Sequence, residues 1–229
     1  MMDIKKLGML CLCIFTLSCS EMSGQPPSVK LDPKYTTGSA EQLFATGESY
    51  AKGIGVSQND VEASKYYRGA AQKGNPKAQY ALGYMYRTGR GVPRDYNLAS
   101  QWFEQAAAGG NSDAQYSLGV RYMLGQGTAQ DNGKALQWFE KAADQGNPYA
   151  ENQLGFMYAA GKSVPQNYPT SISYYQKAAD KGLSSAQYNL GLMYANGIGT
   201  PVDKAKAKQL FQMAAAQGFD PAKEALRKY

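Results

Sequence analysis

Ala78 to Asp113 reads AQYALGYMYRTGRGVPRDYNLASQWFEQAAAGGNSD, and from Ala114 the chain reads AQYSLGVRYMLGQGTAQDNGKALQWFEKAADQGNPY. The two lines align residue for residue without a gap. The same pattern recurs from Ala150 and Ala186, and a worn copy precedes it from Gln42. Gly83, Gly119, Gly155 and Gly191 fall in one column, and Tyr86, Tyr122, Tyr158 and Tyr194 in another. A fixed period of this size is the signature of a stacked repeat protein, in which each unit buries its apolar face only against its neighbours.

Within one unit the apolar spacing predicts two helices. Ala78, Leu82 and Tyr86 stand at i, i+4, i+8, and Ala99, Phe103 and Ala106 at i, i+4, i+7, each set making one stripe on a helix. Gly89 and Gly91 lie between them and recur as Gly53/Gly55, Gly125/Gly127 and Gly197/Gly199, which suits a tight reversal with positive φ. The second helix starts at a column that is always Asx: Asn59, Asp95, Asp131, Asn167 and Asp203. An acceptor side chain there satisfies the orphan N–H groups of a first turn. Gly74, Gly110, Gly146, Gly182 and Gly218 end that helix, and Asn75-Pro76 and Asn147-Pro148 open the next with proline in its first turn. The expected fold is all-α, a right-handed superhelical solenoid of about five 36-residue helix-turn-helix repeats.

From Ala78 to Gly110 and from Ala114 to Gly146 the order Ala, Leu-Gly, Tyr, Gly-x-Gly, Asp, Ala, Trp-Phe, Ala-Ala, Gly resembles the Sel-one-like repeat, a close cousin of the tetratricopeptide repeat. The resemblance covers roughly residues 42 to 221 and implies an adaptor that holds other proteins. Departures are local: Thr46 replaces the leucine of the first copy and Ser163 the second loop glycine, while Asn152-Gln153 and Pro169 disturb the fourth copy.

Lys5 and Lys6 followed by an apolar run from Leu7 to Leu17 read as an export signal over residues 1–18. The run is too short to span a bilayer, which needs about 20 apolar residues. Thr16-Leu17-Ser18-Cys19 resembles the lipobox of bacterial lipoproteins, which makes Cys19 the lipidation site and gives the chain a lipid anchor in the outer or inner membrane, with Ser20 favouring the outer. The alternative is cleavage after Ser18-Cys19-Ser20. Either way the expected location is the periplasm. Residues 19–41, rich in Ser, Pro, Gly and Thr, read as a flexible tether, residues 42–221 as five repeats, and residues 222–229 as a polar C-terminal capping helix. Besides Cys19 the chain has only Cys11 and Cys13, both inside the signal, so the repeats carry no disulfide and depend on stacking.

The formal charge is +6. Much of it sits on second helices (Lys65, Arg68, Lys141, Lys177, Lys204, Lys206, Lys208), whose outer face is solvated. Nucleic acid is disfavoured as a partner, since an exported chain rarely meets it and the sequence shows no base-reading motif. Histidine is absent, which removes Ser-His and Cys-His chemistry and the commonest metal ligand. Ser49-Tyr50-Ala51-Lys52 and Arg87-Thr88-Gly89 imitate two motifs of penicillin-recognising enzymes, but both fall in repeat columns without the accompanying Ser-Asp-Asn. No enzyme, metal or small-molecule cofactor is expected.

In solenoids of this kind the first helices line the concave side, and the residues two before and two after the core leucine point into the groove. These columns hold Phe44, Tyr80, Tyr116, Asn152, Tyr188 and Glu48, Tyr84, Val120, Phe156, Leu192, with Arg87, Met123 and Leu124 one turn on. The candidate contact set is Tyr80, Tyr84, Arg87, Tyr116, Val120, Met123, Phe156, Tyr188 and Leu192. Tyrosine and methionine are enriched at protein interfaces, although each ring taken alone fits a core position equally well. Leu82, Tyr86, Ala99, Trp102, Phe103, Trp138, Phe139 and Ala142 are expected to be core. Sugar recognition has only Asn152 and Asn196 to suggest it. The expected role is protein binding at the bacterial envelope. The family resemblance implies one concrete form, an immunity protein against a periplasm-acting phospholipase of type VI secretion; the alternative is a general envelope adaptor.

Overall fold

A computed structural model of the chain describes residue 26 and residues 29–125 and 129–228. The expected export signal, Cys19 and Gly127 lie outside the described residues. Among the described residues eleven α-helices follow one another: α1 (Ala40–Lys52), α2 (Asp60–Gln72), α3 (Pro76–Thr88), α4 (Tyr96–Ala108), α5 (Ser112–Leu124), α6 (Asn132–Asp144), α7 (Pro148–Ala160), α8 (Tyr168–Asp180), α9 (Ser184–Asn196), α10 (Lys204–Ala216) and α11 (Asp220–Leu226). Each packs chiefly on the helix before and the helix after it, so the molecule is an all-helical solenoid.

The regularity has a local cause at most helix ends. Asn59, Asp95, Asp131, Asn167 and Asp203 each accept a hydrogen bond from backbone N–H groups in the first turn of α2, α4, α6, α8 and α10. Asn75, Asn111 and Asn147 do the same for α3, α5 and α7. Leu183 and Phe219 precede α9 and α11 without a side-chain cap. The loop glycines adopt positive φ, and where Ser163 replaces one of them the backbone keeps that conformation at φ 67°, the one non-glycine residue to do so among those described. Pro169 is harmless because it falls in the first turn of α8, where no intrahelical N–H is needed.

The mid-helix glycine of each first helix is a packing residue. A Cβ on Gly83, Gly119, Gly155 or Gly191 would come within 2.9, 2.7, 2.6 and 2.7 Å of the rings of Phe103, Phe139, Tyr175 and Phe211. The absence of a side chain lets the ring of the second helix lie directly against the backbone of the first. Gly47 accepts Tyr67 in the same way. Alanines at 0% exposure (Ala63, Ala78, Ala114, Ala135, Ala150, Ala186, Ala207) fill the remaining contacts between the helices.

Successive repeats are tied by a glutamine column. Gln79, Gln115 and Gln187 donate Nε2 to the carbonyls of Ala71, Ala107 and Ala179, the open C-terminal end of the preceding second helix, at 3.2, 3.1 and 3.3 Å. Repeat four has Glu151 in that column. A carboxylate cannot donate, and instead Lys181 reaches it at 2.5 Å while also donating to the Gly146 carbonyl at 2.9 Å.

Two expectations need correction. The stretch read as a flexible tether is, from residue 29 onwards, laid along α2. A short 3-10 helix at Pro33–Tyr35 buries Tyr35, whose hydroxyl donates to Glu62 at 2.9 Å and whose ring meets Tyr66 edge-on at 5.0 Å. Gly69 leaves room for the Tyr35 carbonyl. Serine and proline content hid a segment held by one aromatic residue, and Ser39 with Gln42 then forms a capping box for α1. Trp138 is the second correction. It is only half-buried, with the Lys141 ammonium 4.3 Å above its ring, whereas Trp102 in the same column is buried. Pro26, Val29 and Lys30 line one cleft with Trp102. Leu82, Tyr86, Ala99, Phe103, Phe139 and Ala142 are core, as expected.

Candidate functional site

Two clefts open along the face made by the first helices. The larger, about 640 Å³, crosses α1, α3 and the start of α5 and is lined by Phe44, Glu48, Lys77, Tyr80, Tyr84 and Asp113 among others. The second, about 520 Å³, brings Arg87, Tyr116 and Val120 together with Tyr96, Ser100 and Arg121. Tyr80 and Tyr84 thus share one cleft, and Arg87, Tyr116 and Val120 the other. Met123, Phe156, Tyr188 and Leu192 line neither.

The rings divide into two kinds. Tyr80, Tyr116 and Tyr188 are half-buried and rest on Phe103, Phe139 and Phe211 of their own repeat at 5.4, 5.8 and 5.7 Å; Phe44 rests on Tyr67 at 5.6 Å. Their inner edges are core and their outer edges face the groove. Burial raises the hydroxyls of Tyr80 and Tyr116 above the usual tyrosine value, so both stay neutral donors. Tyr84 and Phe156 are 42% and 46% exposed and depend on no such support. Arg87 is exposed too, its guanidinium 5.0 Å above the Tyr84 ring. Val120, Met123 and Leu192 are half-buried against the inner packing, and Gln153 donates to the Met123 sulfur at 3.2 Å.

The mouth of the larger cleft is polar. The Tyr67 hydroxyl donates to Glu48 at 2.7 Å and the Lys52 ammonium pairs with the same carboxylate. Burial alone would raise the Glu48 carboxyl, but the hydrogen bonds from Lys52 and Tyr67 outweigh it and hold the group below its ordinary range. Arg90 closes one side by donating to Asp60 at 2.7 Å and to the Ala51 carbonyl at 3.1 Å. At the far side Asp113 accepts from Asn147 at 2.8 Å.

Several residues of this face were missed in the sequence. Lys77, Asp113 and Tyr149 form a column three residues before the tyrosine column, on the same side of the helix. Lys77 and Asp113 line the larger cleft, and Tyr149 is 53% exposed with its ring 5.7 Å from that of Tyr116. Helical spacing could have found them, but a column of lysine, aspartate and tyrosine has no shared chemistry to draw the eye.

Comparison with known proteins agrees with this geometry. The Sel1 repeat pattern matches residues 43–75, 76–111, 112–147, 148–183 and 184–219. A protective antigen of uropathogenic Escherichia coli displaying an SLR fold is 38% identical, with a TM-score of 0.71 over 82% of this chain. This chain spans 40% of that protein's length. A Sel1 repeat protein from Oxalobacter formigenes is 36% identical, with a TM-score of 0.74 over 80% of this chain and 75% of that one. An immunity protein from Pseudomonas aeruginosa shares the fold at 24% identity, with a TM-score of 0.53 over 87% of this chain and 70% of that one. Comparison with curated proteins gives no match. Five contiguous copies in unbroken register, each closed by a ring lying on a bare glycine, make this chain a member of the Sel1 repeat family.

Proposed function

We propose that the chain is a non-enzymatic, protein-binding repeat protein of the bacterial envelope, and most concretely an immunity protein that neutralises a phospholipase effector delivered to the periplasm by type VI secretion. Sel1 repeats bind other proteins, and immunity proteins of Pseudomonas aeruginosa use the same fold. The observation that carries the reading is the preformed groove. Its rings are pinned from behind by second-helix rings, and Arg87 is stacked on Tyr84 before any partner arrives. A neutralising inhibitor needs high affinity, and ordering the contact surface in advance removes much of the entropic cost of reaching it. The action would be occlusion, with the solenoid covering substrate entry on the toxin and no residue of this chain entering the chemistry.

The test is to purify the domain with the product of the adjacent gene, where that product has the features of a lipase. A stable stoichiometric complex with suppressed hydrolysis is the expected result. Full hydrolysis in excess domain refutes the inhibitor reading, and a complex without inhibition assigns the general adaptor role. Anchoring through Cys19 is checked separately: Cys19→Ala should move the protein from the membrane to the soluble periplasmic fraction, and a wild type already soluble would exclude a lipid anchor.

A further inference from the structure

The groove face changes character along the stack. Helical geometry puts residues at i, i+3, i+4 and i+7 on one face, and the larger cleft shows which face this is, because Lys77, Tyr80, Ala81 and Tyr84 line it. The equivalent residues carry charge on α1 (Glu41, Glu48), on α3 (Lys77) and on α5 (Asp113). On α7 and α9 they carry none. Tyr149, Asn152, Gln153 and Phe156 stand on α7, and Ser185, Tyr188, Asn189 and Leu192 on α9. The one charged residue of those two helices, Glu151, is buried and held by Lys181.

Asn152 and Asn189 meet across the two helices, the Nδ2 of Asn189 donating to the Oδ1 of Asn152 at 3.1 Å. An amide side chain has two donor hydrogens and a two-lone-pair acceptor. The bond between them therefore leaves Asn152 with its Nδ2 to donate and Asn189 with its Oδ1 to accept. That pair is the complement of one residue of an extended chain, whose N–H and C=O point to the same side. Tyr149 and Phe156, 53% and 46% exposed, flank it on α7.

We propose that this half of the groove holds an extended, uncharged segment of the partner by its main chain, with Asn152 and Asn189 bonding the C=O and N–H of one residue and Tyr149 and Phe156 receiving the flanking apolar side chains. Three features favour a polypeptide. A face without charges desolvates cheaply against an uncharged segment and poorly against a charged one. Main-chain recognition beside side-chain pockets is an established way to hold extended peptides. The carboxylates that bind sugar hydroxyls with charge-assisted bonds are absent from this face. The inference rests on the reading that the groove binds protein.

A random peptide library displayed on phage and panned against the full chain tests it. The expected outcome is enrichment of uncharged sequences whose binding weakens about tenfold in Asn152→Asp, as one hydrogen bond of about 1.4 kcal/mol predicts. That variant still accepts from Asn189 but has lost the donor. Methylating the backbone nitrogen that Asn189 accepts from should cost wild type a similar factor and an Asn189→Ala variant, which has lost that acceptor, little. Far-UV circular dichroism checks that the variant is folded, and Asn152→Ser provides a second, uncharged loss of the amide. If peptides bind, depend on Tyr84 and ignore Asn152 and Asn189, this inference is overturned while the groove reading stands. If no selected peptide responds to any groove substitution, both fail. Binding of an N-acetylglucosamine oligomer, weakened by Asn152→Asp, with no peptide enriched, would assign the site to glycan instead.

Discussion

Replacing Gly119 with alanine should destabilise the protein, although helix propensity argues the other way. Glycine in a helix interior is about 1 kcal/mol less favourable than alanine, so an unobstructed replacement would stabilise α5. The new Cβ would lie 2.7 Å from Cε1 and 2.8 Å from Cδ1 of Phe139, where ordinary contact begins at 3.4 Å. Phe139 is 0% exposed and cannot swing aside. Overpacking of this kind costs about 1–3 kcal/mol, which against that gain leaves a net loss of up to about 2 kcal/mol, or at most roughly 6 °C in Tm for a domain of this size. Gly133 is the control in the same repeat. It lies in the first turn of α6 and its Cβ would meet only Asp131 Oδ1 at 3.4 Å, so Gly133→Ala should gain about 0.5 kcal/mol. Thermal unfolding of both variants followed by circular dichroism decides the matter. Equal stabilisation at the two sites would refute the claim that the glycine column exists to seat the ring. The groove should feel the change as well, because Tyr116 rests on Phe139.

The two kinds of groove ring should separate on truncation: Tyr84→Ala and Phe156→Ala should leave Tm within about 2 °C of wild type, whereas Tyr116→Ala should cost about 2 kcal/mol of stability through its contact with Phe139; equal Tm losses would show that all are core. Tyr35→Ala should cost about 3 kcal/mol and expose the segment before α1 to limited proteolysis, and an unchanged cleavage pattern would show that Tyr35 does not pin it. Burial pushes the Tyr175 hydroxyl up to about 12 and raises that of Tyr67 further. Groups raised in this way stabilise the fold fully below the unfolded tyrosine value of about 10 and lose that contribution as pH climbs through the folded one. Denaturant midpoints should therefore fall between pH 10 and 12, less steeply in Tyr175→Phe, a replacement the Phe103, Phe139 and Phe211 column shows the site can hold; an identical slope would refute the assignment.

The period of the repeat, the Asx caps and the loop glycines were legible in the sequence because each acts locally. A cap satisfies N–H groups two or three residues away, and a glycine with positive φ reports its own backbone, so neither needs a distant partner to be interpreted. Ser163 shows how firmly the repeat imposes such a conformation. The mid-helix glycine column was visible as a column but not as a cause, since the ring it seats lies 20 residues further along the chain. The same limit hid the cover over Trp102, the exposure of Trp138 and the role of Tyr35, all decided by which segment happens to pack on them. For the groove, sequence columns placed the residues on one face, but only packing divided Tyr80, Tyr116 and Tyr188, half committed to the core, from Tyr84 and Phe156, which stand free. The Asn189–Asn152 bond required two residues 37 positions apart to meet at 3.1 Å, and such a distance is fixed by how helices stack, a property of the whole array that no single repeat encodes.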